Sequence, residues 1–72
     1  GVGRKLLKAL EDGSRESGRE LLIAEVMPDN TRSLGLFRSM GYREATGKEI
    51  DRWPKKLRGR LLEGRVVVVK NL

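Results

Sequence analysis

Four consecutive valines, Val66 to Val69, constrain the fold of this chain more than any other feature. β-Branched side chains fit the pleated surface of a sheet, so Arg65 to Lys70 reads as the strongest strand in the sequence. A second apolar run, Leu21 to Ala24, lies within Glu20 to Val26 and has the near-continuous pattern of a strand covered on both faces. Neither run approaches the roughly 20 residues needed to span a bilayer. With no signal peptide or transmembrane segment in view, a cytoplasmic protein is expected. The chain is 72 residues long, enough for one core at most, and a chain of that size buries only about 60% of the surface it exposes when unfolded. It contains no cysteine and no histidine. That excludes disulfide staples, thiolate nucleophiles, Cys/His zinc sites and an imidazole general base, and no metal site is expected.

The rest of the chain supplies helices. Leu6, Leu7 and Leu10 recur at helical spacing after Gly1-Val2-Gly3-Arg4, with Lys5, Lys8, Glu11 and Asp12 largely on the other face. The spacing predicts a helix from about Gly3 to Ser17, stopped at Gly18. Met27-Pro28-Asp29 breaks the chain after the first strand, because proline donates nothing to a ladder and Asp favours turns. Asn30 then reads as an N-cap accepting from the N–H of Arg32 or Ser33. Leu34, Phe37 and Met40, with Leu36 alongside, mark a second helix closed by Gly41. Tyr42 to Ile50 reads as a weak edge strand, interrupted by Gly47 and several charges. The expected order is helix, strand, helix, strand, basic loop, strand, which is an α/β arrangement of layers.

Charge divides this order unevenly. The chain carries 16 Lys and Arg against 10 Asp and Glu, net +6, which favours anionic partners. Residues 1–50 hold nine basic and eight acidic side chains, net +1, whereas residues 51–72 hold seven and two, net +5. The excess is C-terminal, and within it the basic loop, 51–64, carries Arg52-Trp53-Pro54-Lys55-Lys56-Leu57-Arg58-Gly59-Arg60, five cations in nine residues around the sole Trp. Such a run serves either as charged gatekeeping beside a strand or as an anion-contacting arm, with Arg52, Trp53, Lys55, Lys56 and Arg58 as its candidate residues.

Three short stretches bear on chemistry. At Gly1, Val2, Gly3 and Arg4 the glycines let backbone approach a ligand, and the free N–H groups of a helix's first turn form an anion site. Neither a Walker lysine nor the third glycine of the dinucleotide fingerprint is present, so a nucleoside triphosphate site is not expected. Glu25, near the end of the first strand, is a candidate general base if desolvated, or a plain solvated or ion-paired carboxylate if not. Asn30-Thr31-Arg32-Ser33-Leu34-Gly35-Leu36-Phe37-Arg38-Ser39-Met40-Gly41-Tyr42 is, on structural grounds, a capped amphipathic helix and a glycine turn.

In order and spacing together, these stretches resemble the second half of the GNAT N-acetyltransferase superfamily. That family has a pyrophosphate loop ending in Gly-x-Gly/Ala at a helix start, then a strand, then Asn-x-x-Ala/Ser-x-x-Leu/Phe-Tyr/Phe and, three residues on, Gly-Phe/Tyr. Gly1 and Gly3 match the loop end, and Asn30, Ser33, Leu36, Phe37, Gly41 and Tyr42 match the second motif. The resemblance is close over residues 1–50 and looser at the final strand.

The resemblance implies a partial GNAT-like fold, order helix-strand-helix-strand-strand, lacking the family's N-terminal strands. It implies acetyl-CoA as co-substrate, its pyrophosphate on the N–H groups of Gly1, Val2, Gly3 and Arg4, with Asn30, Ser33 and Phe37 lining the cofactor cleft. Glu25 falls where some members carry a glutamate proposed to deprotonate the acceptor amine. Phe37 departs from the family, since many members have Tyr there to protonate the departing thiolate, and phenylalanine keeps the packing without the proton. The strand whose backbone amide polarises the thioester carbonyl lies upstream of the loop in the family. Residues 1–72 are therefore expected to be one partial domain, the C-terminal portion of an acetyltransferase, inactive or nearly so alone. The basic loop falls in a region that often borders the acceptor site in this family, so the resemblance implies an acidic or nucleic-acid-associated acceptor.

Two other readings remain open from sequence. One is a small basic nucleic-acid-binding module that contacts phosphates, with Trp53 stacking on a base; only three aromatic residues, Phe37, Tyr42 and Trp53, support it. The other is a noncatalytic half that binds a partner chain through an unpaired edge of the Glu20 to Val26 strand.

Overall fold

The computed structural model describes residues 2–72; Gly1 lies outside the described residues. The elements are α1 (Val2–Glu16), β1 (Leu21–Val26), α2 (Thr31–Ser39), β2 (Arg43–Glu44), α3 (Gly47–Asp51), α4 (Lys55–Arg58) and β3 (Val66–Asn71). The valine run forms the middle of the sheet: the strand order is β1-β3-β2, and β3 is antiparallel to both neighbours. Leu21 faces Asn71 and Val26 faces Val66 across the β1–β3 ladder, while Arg43 faces Val69 on the other side. The architecture is α/β, consistent with a partial GNAT-like fold.

Alternation along the strands separates two apolar clusters, one on each face of the sheet. On the first face Val26 and Val68 pack with Leu7 of α1 and Tyr42, and Leu34 and Phe37 of α2, with Met40 at its C-cap, lean against them. On the second face Val67, Val69 and Ala45 meet Leu21 and Ile23 of β1 and three residues from the segment between β2 and β3, Ile50, Trp53 and Leu61. The expectation that β1 is covered on both faces therefore holds, although most of its residues are only half-buried.

Capping sets the boundaries of the longer helices. Gly18 adopts φ 79° and ends α1; Gly41, at φ 89°, turns the chain after α2, a backbone conformation that L side chains rarely take. Asn30 Oδ1 accepts from the N–H of Ser33 at 3.2 Å, the N-cap read from sequence.

Three expectations are corrected. The strand expected over Tyr42 to Ile50 is only Arg43–Glu44. Thr46 Oγ1 accepts from the N–H of Glu49 at 3.1 Å and starts α3, and Arg43 donates to both carboxylate oxygens of Glu49 at 2.6 and 2.7 Å, binding the helix to the strand it displaced. The basic loop over 51–64 is not wholly a loop, since it contains the end of α3 and all of α4. In α1 the buried stripe is not Leu6, Leu7 and Leu10. Leu7, Glu11 and Ser14 turn inward, whereas Leu6 and Leu10 are 68% and 56% exposed.

Candidate cofactor and acceptor site

Among the predicted cofactor contacts, Val2, Gly3 and Arg4 form the first turn of α1, and Gly1 lies outside the described residues. The first N–H groups of any helix have no partner within it. No acidic residue stands in the first turn of α1, and Arg4 and Lys5 add positive charge there. The helix dipole is thus left uncompensated at an end that favours an anion. Gly3 has a second duty, because a Cβ built on it would stand 3.1 Å from Leu36 Cδ2. The missing side chain lets the first turn of α1 close on α2.

That approach brings together the two stretches that carry the family resemblance. Asn30 is exposed and its side-chain oxygen is engaged by the N–H of Ser33. Ser33 and Phe37 are half-buried on α2, one turn apart. The Phe37 ring meets Tyr42 edge to face, with centroids 5.0 Å apart and planes at 70°, a preferred aromatic geometry. Phe37 carries no hydroxyl, and the nearby hydroxyl of Tyr42 is turned away into another network.

That network was missed in the sequence. Tyr42 donates to Glu11 Oε2 at 2.8 Å, and Lys70 Nζ reaches Glu11 Oε1 and Oε2 at 3.2 and 3.3 Å. The Lys70 ammonium also stands 5.6 Å from the centre of the Tyr42 ring. Burial pushes the Glu11 carboxyl upward, but the hydrogen bonds from Tyr42 and Lys70 and the charges of Lys70 and Arg15 outweigh it, so Glu11 titrates below its ordinary range. Burial and the Glu11 carboxylate together push the Tyr42 phenol well above its ordinary value. Tyr42 therefore holds its proton and does not stand in as an acid for Phe37. The sequence did carry a signal: Leu7, Glu11 and Ser14 follow the spacing of one helix face, and Lys70 closes an otherwise apolar strand.

Glu25 is exposed, without the desolvation that the sequence reading set as the condition for a base. By alternation its side chain shares the second face with Ile23, and its Oε1 accepts from the N–H of Leu62 at 2.6 Å. The acceptor-side candidates separate into two groups. Trp53 is half-buried against the second cluster, whereas Arg52, Lys55, Lys56 and Arg58 are exposed. Among the described residues none of these four, nor Arg60, lies within ion-pair distance of a carboxylate. Lys56 and Arg60 flank a shallow open groove of about 300 Å³ floored by Pro54 and Leu57. Arg60 was not among the five arm residues singled out from sequence. No group of residues suited to holding a metal ion occurs among the described residues, and no helix there is long and apolar enough to cross a membrane.

The family model described as the Acetyltransferase (GNAT) family matches residues 1–42, more than half of the chain. Among curated proteins, the L-amino acid N-acyltransferase MnaT of Escherichia coli (strain K12) is 40% identical over 42 residues, covering 58% of this chain and 24% of that protein. The chain thus spans about a quarter of the length of the relative it matches. No solved structure matches the chain. The matched stretch, residues 1–42, takes in α1, β1, the Asn30 cap and α2, including the two helices that meet at Gly3 and Leu36, and the chain belongs to the GNAT acetyltransferase family.

Proposed function

We propose that this chain forms the acetyl-CoA-binding part of an N-acetyltransferase that passes an acetyl group to a primary amine by direct attack. The observation that carries this reading is the family match over residues 1–42, which includes the acid-free helix start of α1. The first-turn N–H groups of Val2, Gly3 and Arg4, with Gly1 before them, hold the pyrophosphate, and Asn30, Ser33 and Phe37 line the pantetheine path. The amine lone pair attacks the thioester carbonyl carbon, the C–S bond breaks, and the amine proton passes to a base. Glu25 is the candidate base; its Oε2 accepts no hydrogen bond among the described residues. The CoA sulfur leaves as a thiolate, which a thiol of moderate pKa tolerates.

A further catalytic element, an N–H donor aimed at the carbonyl oxygen, is usually the largest single contribution to such a reaction. We assign it to a further strand beside β1. Two observations support that assignment: among the described residues β1 pairs only with β3, leaving its other edge open, and Leu6 and Leu10 of α1 are exposed. Residues 1–72 then act as one partial domain, and turnover by these residues alone is not expected. The acceptor is an amine bearing an anionic group, for which the unpaired cations of the arm are suited. An L-amino acid, the acceptor class in the name of the matched relative, has that chemistry. We place the reaction in the cytoplasm, with acetyl-CoA.

The test is calorimetric titration of the complete protein with acetyl-CoA, followed by CoA release in a panel of amines. Saturable binding and release with carboxylate-bearing amines are expected. Absence of both overturns the reading, and a nucleic-acid affinity that falls steeply with salt without any response to CoA replaces it with phosphate-backbone binding.

A further inference from the structure

The segment between β2 and β3 is tied to the sheet by few polar contacts. α3 is joined to its own neighbour through Arg43 and Glu49. Beyond α3, the backbone hydrogen bonds of residues 53–61 run to residues within the same stretch, apart from the N–H of Trp53, which donates to Ile50. The exception is at the end of the arm, where the N–H of Leu62 donates to Glu25 Oε1 at 2.6 Å across 37 residues. Leu61, one residue earlier, is seated in the second apolar cluster, while the Leu62 side chain is 59% exposed. The apolar contact fixes Leu61 on the sheet face, and the carboxylate takes the next backbone N–H.

We infer that Glu25 is a positioning residue that latches the basic arm to β1, so that Lys56 and Arg60 are presented at a fixed place beside the sheet. This inference deepens the anionic-acceptor reading above and rests on it for its consequence, but the latch itself is a matter of backbone geometry. A carboxylate accepting a backbone N–H forms a charge-assisted bond, stronger than a neutral one. The groove between Lys56 and Arg60 is lined by residues of the arm alone; its position relative to the sheet therefore depends on how the arm is held. The same carboxylate has one oxygen on the arm and the other available to the reacting amine. It links recognition of the acceptor's anionic group to proton removal from its amine.

The two roles separate by substitution. Glu25→Gln keeps a side-chain oxygen to accept from Leu62 but loses the base, whereas Glu25→Ala loses both. In the unaltered chain the Leu62 amide, on an exposed residue, is expected to exchange with solvent about tenfold more slowly than an open amide. Glu25→Ala is expected to remove that protection and to raise trypsin cleavage after Arg58 and Arg60 several-fold. Glu25→Gln, which replaces the charge-assisted bond by a weaker neutral one, is expected to fall between the two, keeping part of the protection and cleaving more slowly than Glu25→Ala. Protection of the Val68 amide in the central strand reports that the sheet is intact in each variant. An unprotected Leu62 amide in the unaltered chain overturns the proposal, and so does equal behaviour of the two variants. In the complete protein both variants lose rate, but only Glu25→Ala is expected to raise KM for a carboxylate-bearing amine. Exchange and proteolysis need no turnover, so failure of the acetyltransferase reading leaves the latch measurable.

Discussion

Glu11 shows how one residue can stabilise this fold from an unfavourable position. A carboxylate that is 3% exposed is costly to bury unless it is paired and hydrogen-bonded. Here Tyr42 and Lys70 supply the partners, drawing α1, the turn after α2, and β3 together. Replacing Tyr42 by Phe keeps the ring on Phe37 and removes one donor, with an expected loss of about 1–3 kcal/mol in urea denaturation at neutral pH. Acid acts on the same site. Because the folded Glu11 binds its proton less readily than the unfolded chain, its contribution is present above the ordinary value of 4.5 and is lost as pH falls through the depressed folded value. Stability of the unaltered chain is expected to fall in that window, and the Glu11→Gln variant to lack that part of the decline. Tyr42 works in the opposite direction: its raised value favours the fold up to about pH 10, and the advantage disappears as the folded phenol ionises in stronger base.

Individual elements gain definition from their ends more than from their middles. Gly13 lies inside α1 with nothing within 4 Å of an added Cβ, while Gly18 sits just past the helix at φ 79°. The same substitution has opposite effects at the two places. Gly13→Ala is expected to stabilise by about 0.5–1 kcal/mol, since alanine costs less backbone entropy in a helix. Gly18→Ala is expected to destabilise by about 1 kcal/mol or more, because its Cβ crowds the following carbonyl in the left-handed region. Thermal denaturation of the pair reads both signs. Element type was legible where periodicity was long, as in α1, α2, β1 and β3. It failed over Tyr42 to Ile50, where Gly47 reads as a strand interruption and is instead the first residue of a helix capped by Thr46. A five-residue helix has too little periodicity to announce itself, and the Arg43–Glu49 pair that holds it joins residues six apart.

At the scale of the molecule the chain is a slab, 33 by 32 by 17 Å. So thin a body has little interior, and Val69 is its single fully buried large side chain among the described residues. Both clusters depend on the β3 valines. The arm carries five cations with no carboxylate in ion-pair distance among the described residues, while residues 1–50 are near neutral. Charge reversal at Lys55, Lys56 and Arg58 to Glu is therefore expected to weaken an anionic acceptor at least tenfold in the complete protein. Acetyl-CoA affinity measured by calorimetry is expected to change by less than about threefold, because screening in physiological salt confines each charge to roughly 8 Å.

The sequence by itself determined the local features: the valine strand, the Asn30 cap, the glycine stops, the family spacing from Gly1 to Tyr42, and the concentration of charge beyond residue 50. Each depends on neighbours a few residues apart, where propensity and capping act. Only the tertiary structure decided which stripe of α1 turns inward, that Glu11 finds Tyr42 and Lys70 there, that β3 lies between β1 and β2, and that Glu25 reaches Leu62. Those contacts join residues 31 to 59 apart or whole strands. They follow from which faces the packing brings together, and no local pattern encodes that.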